Sequence, residues 1–257
     1  SSVDIALKYD AANRLTNMVD AVGASSFAYT PFGALLAEDG PDNQVLIGSF
    51  LRKCGADLVI VDNGRKAVDA ARESAAAGTP FDLILMDMQM PVMDGYAAAR
   101  ELRDSGWLRP ILALTANAMS GDRQKCLGAG CDDFATKPID RRQLVAQIRE
   151  LLSSTSDDFC SSDTVTTVAP AAISEILDWQ EALDRIDGDL ELFHEISGLV
   201  SHHCPEMLVE IDQRLAERDL GSVRRLAHTL RSSTDNVGGR IASLAASQLE
   251  QAAIGGD

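Results

Sequence analysis

Basic charge is scarce in this 257-residue chain: 23 Lys and Arg stand against 39 Asp and Glu, a formal net charge of −16 at pH 7. Broad electrostatic binding of nucleic acid or of an anionic membrane surface needs the opposite excess, so neither is expected. An acidic chain suits handling of cations or meeting basic patches on partners. Aromatic residues make up only 5%, which fits Leu/Ala/Val-rich α/β and all-α cores. The five cysteines (Cys54, Cys126, Cys131, Cys160, Cys204) are odd in number and show no CxxC spacing, as free thiols of a reducing compartment would. No stretch reaches the roughly 18 consecutive apolar residues of a membrane helix, and no signal peptide opens the chain. The expectation is a cytoplasmic protein, or the soluble part of a larger one. Length and a 46% hydrophobic fraction allow about two domains with real cores.

What is present is organised around FDLILMDMQMPVMDG, Phe81 to Gly95. It opens as an unbroken apolar run, Leu83 to Met86, of the kind found in strands buried on both faces. It then delivers one carboxylate, Asp87, followed by a Met-rich loop, Pro91 and the turn signal Asp94-Gly95. A charge at the C-terminal tip of a buried parallel strand lies where open α/β sheets place their chemistry.

Taken in order, residues 1–32 alternate short apolar patches with Gly, Asn, Asp and Ser, the texture of short strands and turns. Within them Tyr9 to Gly23, YDAANRLTNMVDAVG, resembles one unit of the YD repeat of Rhs-type shell proteins. A single unit has no neighbour to bury its apolar face, so an appendage of little order is the other reading. Residues 33–152 alternate strand and helix about five times: Ala34–Ala37, a helix after Gly40-Pro41-Asp42 with Ile47, Phe50, Leu51 and Cys54 inward, Asp57–Val61, Lys66–Ala77, the Asp87 strand, Gly95–Ser105, Ile111–Thr115, a helix around Asp122–Gly128, Asp133–Ala135 and Arg141–Leu152. That alternation predicts a doubly wound five-stranded parallel sheet with right-handed crossovers. Pro31 and Gly33 are expected to weaken its first strand. Residues 153–174 are Ser/Thr/Asp/Ala-rich and read as a linker. From 175 to 257 the pattern is purely helical, broken at Gly188, Cys204-Pro205, Gly221 and Gly238-Gly239, which predicts a second, all-α domain of four or five helices. A bundle requiring a further helix would leave Ile241, Leu244 and Leu249 partly exposed.

Five positions converge on the carboxyl edge of the sheet: Glu38 and Asp39 end the first strand, Asp87 the third and Thr115 the fourth, and Lys137 follows the fifth. Clustered carboxylates repel unless a hard cation neutralises them, and oxygen ligands of this kind suit Mg2+. A lysine and a hydroxyl opposite them supply donors for a phosphoryl group. Pro138 gives a rigid turn, and a cis Lys137–Pro138 bond would aim the lysine.

The pieces LLAEDGPDNQ, LILMDMQMPVMDG, ILALTANAM and DDFATKPID, in this order, resemble the receiver domain of two-component signalling, over about 120 residues. The resemblance implies a flavodoxin-like fold with Asp87 as phospho-acceptor. It also implies Mg2+ held by Asp39, Asp87 and the backbone carbonyl of Gln89, with Glu38 acting through water. Thr115 and Lys137 would meet the phosphoryl oxygens, and Phe134 would stand at an aromatic switch position, though an apolar residue there also suits plain core.

In VRRLAHTLRSS, Val223, Leu226, Ala227 and Leu230 mark a buried helical face, and His228 lies about 200° from Leu226 and Leu230. It is expected to point outward, with Arg224, Arg225 and Arg231 forming a basic ridge beside it. AHTLRSSTDNVGG resembles the histidine-phosphotransfer (HPt) domain, over about 80 residues from Leu177. That resemblance makes His228 a second phospho-acceptor and Arg231 its helper cation, with Ser232 where family members commonly carry glycine. His202-His203-Cys204 reads as a helix end, since adjacent helical residues cannot converge on a metal.

The function these readings imply is two-component phosphorelay: Mg2+-dependent transfer onto Asp87 and relay through His228, in the C-terminal part of a hybrid sensor histidine kinase. Partners would be a sensor histidine kinase domain and downstream receiver or HPt proteins; the chain would be the soluble part of a membrane-bound sensor or a cytoplasmic protein. No Gly-rich ATP lid is present, so the chain itself should not use ATP. The alternatives are a Mg2+-dependent phosphatase-like hydrolase with Asp87 as nucleophile, and a non-catalytic repeat or shell fragment built on Tyr9–Gly23.

Overall fold

The structure is a computed structural model describing residues 32–116, 120–153 and 178–255, together with strands at 6–9, 15–20 and 23–26. Those three strands, β1 (Ala6–Tyr9), β2 (Leu15–Asp20) and β3 (Gly23–Ser26), pair antiparallel in the order β1-β2-β3. The rest of the repeat-like segment, the linker and Cys160 lie outside the described residues.

The larger sheet holds β4 (Phe32–Ala37), β5 (Ala56–Val61), β6 (Leu83–Asp87), β7 (Ile111–Thr115) and β8 (Asp133–Thr136), all parallel in the order β5-β4-β6-β7-β8. The helices between them are α1 (Pro41–Lys53), α2 (Gly64–Ala76), α3 (Gly95–Asp104), α4 (Ser120–Gly128) and α5 (Arg141–Ser153). From β4 the chain steps to the edge strand β5 and then returns to β6 on the other side. The order of winding therefore reverses between β4 and β6, which opens a crevice at their carboxyl ends.

Strand burial explains the sequence texture. β6 and β7 are buried at every position, so they read as continuous apolar runs, whereas the edge strand β5 alternates in exposure. Successive side chains go to opposite faces. Leu35, Ala37, Ile84, Met86, Ile111 and Ala113 meet α2 and α3 on one side; Leu36, Leu83, Leu85, Leu112 and Leu114 meet α1 and α5 on the other. Each large α1 residue on that side, such as Ile47, Phe50 or Leu51, contributes roughly 1.5–3 kcal/mol by leaving water.

Gly33, expected to weaken the first strand, lies within β4. Gly33 pairs with Asp57 of β5, its N–H donates to Asp82 Oδ2 at 2.9 Å, and its carbonyl accepts from Asp82 N at 2.8 Å.

The second half consists of α6 (Trp179–Arg185), α7 (Leu190–Ala216), α8 (Leu220–Asn236) and α9 (Arg240–Gly255). Asp178, Asp189 and Asp219 cap α6, α7 and α8, each accepting from a first-turn N–H. Cys204-Pro205 does not break a helix: Pro205 lies inside the 27-residue α7. Apolar contacts on both sides of the proline, from Ile196 and Val200 before it and Ile211 after it, carry the helix through the missing hydrogen bond. His202-His203-Cys204 is accordingly mid-helix rather than at an end. Ile211, Val223, Leu230 and Ala246 form the bundle's core, with Leu249 half-buried against it, while Ile241 and Leu244 are exposed.

The two halves share packing. The apolar cluster beneath α1 and α5 continues into Leu183, Ile186, Leu192, Ile196 and Val200. Lys53 pairs with Asp189, and Arg141 and Arg142 with Asp187, at the rim of this contact.

Candidate functional site

The carboxyl ends of β4, β6, β7 and β8 bring Glu38, Asp39, Asp87, Thr115 and Lys137 to the crevice where the winding reverses. One oxygen each from Glu38, Asp39 and Asp87 lies within 4.8 Å of the others. Lys137 Nζ sits 2.6 Å from Asp87 Oδ2 and 2.8 Å from Glu38 Oε2, and both carboxylates are buried. The Gln89 N–H donates to Asp87 Oδ1 at 2.9 Å, so the loop after β6 folds back over its own aspartate. Thr115 is buried beside it, and its carbonyl accepts from Lys137 N at 2.7 Å. The Lys137–Pro138 peptide is cis.

The loop geometry depends on two residues beyond the acidic set. A Cβ at Gly95 would stand 2.1 Å from the Asp87 carbonyl oxygen, so only glycine lets α3 start against the end of β6. Val92 takes a left-handed backbone (φ 68°) while 86% exposed, which is costly for a β-branched residue and marks a tightly drawn turn. Phe134 is half-buried against the sheet core, and its carbonyl accepts from Gln147.

Three carboxylates face one ammonium, and the electrostatics follow. Burial pushes Glu38 up to about 8, with Asp87 adding to the rise and Lys137 opposing it. Burial and Asp87 likewise push Asp39 up to about 6. For Lys137, burial acts downward, but the Asp87 and Glu38 charges outweigh it and hold the ammonium above the ordinary lysine range. An excess of hard oxygen donors, short by positive charge, is the donor set that a divalent cation such as Mg2+ fits. Glu38 is already engaged by Lys137, by Gly40 N at 3.3 Å and by Asn43 Nδ2 at 3.0 Å.

His228 does not point to solvent. It is 3% exposed. The helical wheel rightly takes it off the face of Val223, Ala227 and Leu230, but α8 is buried on a second face, against the receiver-like half and α9. Its Nδ1 meets Glu250 Oε1 at 3.1 Å, and Arg231 Nη1 meets the other Glu250 oxygen at 3.0 Å. Burial raises Glu250, but the hydrogen bond and charge of His228, with Arg231 and Arg224 beside it, hold the carboxyl below its usual range. Among the described residues, His228 Nε2 is buried without a hydrogen-bond partner. The imidazole is also near enough to Asp39 for its charge to favour the ionised carboxylate there. Arg231 reaches the Ala116 carbonyl just after β7, at 3.5 Å.

Residues 34–149 match the family described as the response regulator receiver domain. A two-component response regulator of Oryza sativa subsp. japonica is 40% identical over 112 residues, covering 43% of this chain and 86% of that protein. The chain belongs to the receiver domain family. Beyond the receiver, residues 195–257 match the Hpt domain family, so receiver and Hpt follow one another in that order. This pair of domains is one of two-component phosphotransfer. The signal transduction histidine-protein kinase BarA of Shigella flexneri is 33% identical over 204 residues, 77% of this chain. The chain spans only 21% of that relative's length. Among solved structures, the receiver domain of a Pseudomonas aeruginosa sensor histidine kinase, with magnesium coordinated in its active-site cleft, is 40% identical, with a TM-score of 0.44, covering 48% of this chain and 99% of that one. No helix among the described residues is long and apolar enough to cross a membrane.

Sequence reasoning missed Glu250, Asp42, Asn43, Ser233 and Asn236. Glu250 carried a signal: it is the only carboxylate in α9, amid small and apolar residues. The others carried none, because what they do depends on how the receiver and the Hpt bundle meet.

Proposed function

We propose that the chain is the receiver and Hpt part of a hybrid sensor histidine kinase, in which Asp87 and His228 both carry the phosphoryl group. The observation that carries this reading is the buried Nε2 of His228, without a hydrogen-bond partner among the described residues, on an imidazole close enough to the acidic crevice for its charge to act on Asp39. In the forward step a carboxylate oxygen of Asp87 attacks the phosphorus of a donor phosphohistidine. The P–O bond forms as the P–N bond breaks, and the leaving imidazole nitrogen keeps the electron pair. In the relay step the Nε2 lone pair of His228 attacks the phosphorus of the aspartyl phosphate, and the Asp87 carboxylate leaves with the electrons of the broken P–O bond. Glu250 accepts from Nδ1–H, which keeps the lone pair on Nε2 and offsets the positive charge that develops on the ring.

Lys137, Thr115 and the Gln89 N–H would meet the phosphoryl oxygens, and Arg231 would add a cation from the bundle side. Asp39, Asp87 and the Gln89 carbonyl would hold Mg2+, with Glu38 acting through water. When bound, the ion neutralises charge on the phosphoryl oxygens. Phe134 would report the phosphorylated state from the edge of the sheet. The phosphoryl source would be a histidine kinase domain and the recipients downstream receiver or Hpt proteins, in the cytoplasm. The YD-like segment rests on sequence alone and contributes nothing to this reading.

Incubation with acetyl phosphate and Mg2+ tests it. Labelling should rise to a stoichiometric plateau in the wild type and be absent in Asp87→Asn. Unlimited steady turnover of acetyl phosphate would favour the hydrolase, and an Asp87→Asn protein that labels normally would remove the proposal's centre.

A further inference from the structure

α1 and α8 meet through a buried polar contact that includes the Asp42 carboxylate. Asp42, in the first turn of α1, is buried at 2% exposure, and its carboxylate lies against the bundle. Asp42 Oδ1 accepts from Ser233 Oγ at 2.9 Å and Oδ2 accepts from Asn236 Nδ2 at 2.8 Å. Asn236 Nδ2 also donates to Asn43 Oδ1 at 2.7 Å, and Asn43 Nδ2 donates to Ser232 Oγ at 3.0 Å. Ser232, Ser233, Asn236 and Asn43 are themselves buried. The charged residues Lys53, Asp189, Arg141 and Asp187 lie at the rim instead.

An ionised carboxylate can only accept hydrogen bonds, and burying it without donors is costly. Here its two donors come from another domain, from positions five and eight residues beyond His228. Contacts of this kind add modest net affinity, because both sides lose water, but they reject a partner that cannot supply the donors. We propose, resting on the relay reading above, that Asp42 matches this receiver to its own Hpt bundle. The fitting partner is a helix presenting a hydroxyl and a carboxamide at the positions of Ser233 and Asn236. A bundle with apolar or acidic residues there would leave the Asp42 charge buried and unpaired, and His228 would not be seated for transfer.

The near-isosteric exchanges Asp42→Asn and Asn236→Asp test this in the full chain. Each protein is loaded on Asp87 with acetyl phosphate and Mg2+, and the appearance of phosphohistidine is timed in single-turnover conditions. Each single variant should load Asp87 normally but relay about tenfold or more slowly, as expected for losing a buried hydrogen bond to a charge. The double variant reverses the polarity of the pair and should relay faster than the slower single variant. Wild-type rates in both single variants, or a double variant no faster than the slower single, would overturn the proposal. If the wild type itself never loads Asp87 or never forms phosphohistidine, the relay reading fails instead, so the two failures are separable. Should either single variant lose its helical circular dichroism, Ser233→Ala replaces it in the same assay, with slowed relay expected and a wild-type rate counting against the proposal.

Discussion

At the scale of single residues, the acidic crevice gathers three carboxylates about one buried ammonium. Asp39 at about 6 and Glu38 at about 8 both stand above their unfolded values. A folded chain free of divalent ions therefore holds protons that the unfolded chain releases. Stability from these groups is present below about pH 4 and is lost as pH rises through 6 and then 8. The urea midpoint of metal-free protein should fall between pH 5 and 8, and millimolar Mg2+ should lessen that fall; a pH-independent midpoint would contradict the electrostatic account. Glu250 makes a second residue-level claim. Glu250→Ala should leave Asp87 labelling intact but slow phosphohistidine formation about tenfold or more, while Glu250→Gln, still able to accept from Nδ1, should slow it less. Equal rates in all three proteins would remove Glu250 from any positioning role. The acidic set itself was legible because Glu38, Asp39, Asp87, Thr115 and Lys137 each end a strand or follow directly on one, and strand ends are visible in hydrophobic pattern. The burial of His228 was not, because a helical wheel knows only one core.

At the scale of elements, the α/β half followed from its sequence almost strand by strand. Two of its strands, β6 and β7, are buried at every position and so read as unbroken apolar runs, with helix and turn signals between the strands. The error fell where long-range packing outweighs local signals, at Pro205 inside α7. One junction shows how closely elements constrain the site. Since a Cβ at Gly95 would come within 2.1 Å of the Asp87 carbonyl oxygen, Gly95→Ala must push α3 away from the end of β6. We expect a loss of about 2–3 kcal/mol, of the size seen for overpacked interiors, together with weaker acetyl phosphate labelling. Urea titration and labelling of the same preparation check both halves of that expectation, and an unchanged midpoint would contradict it.

At the scale of the molecule, receiver and bundle form one contact, with α1 between the sheet and α8. Residues 194 positions apart, Asp42 and Asn236, are bonded in it, and no pattern in the sequence foretold that pairing. The most direct test follows where the phosphoryl group resides after acetyl phosphate and Mg2+ are added to the full chain. Acyl phosphate and phosphohistidine are told apart by their stability to alkali. The wild type should carry both, His228→Gln only the alkali-labile acyl phosphate, and Asp87→Asn neither. Phosphohistidine in Asp87→Asn at the wild-type level would contradict the relay.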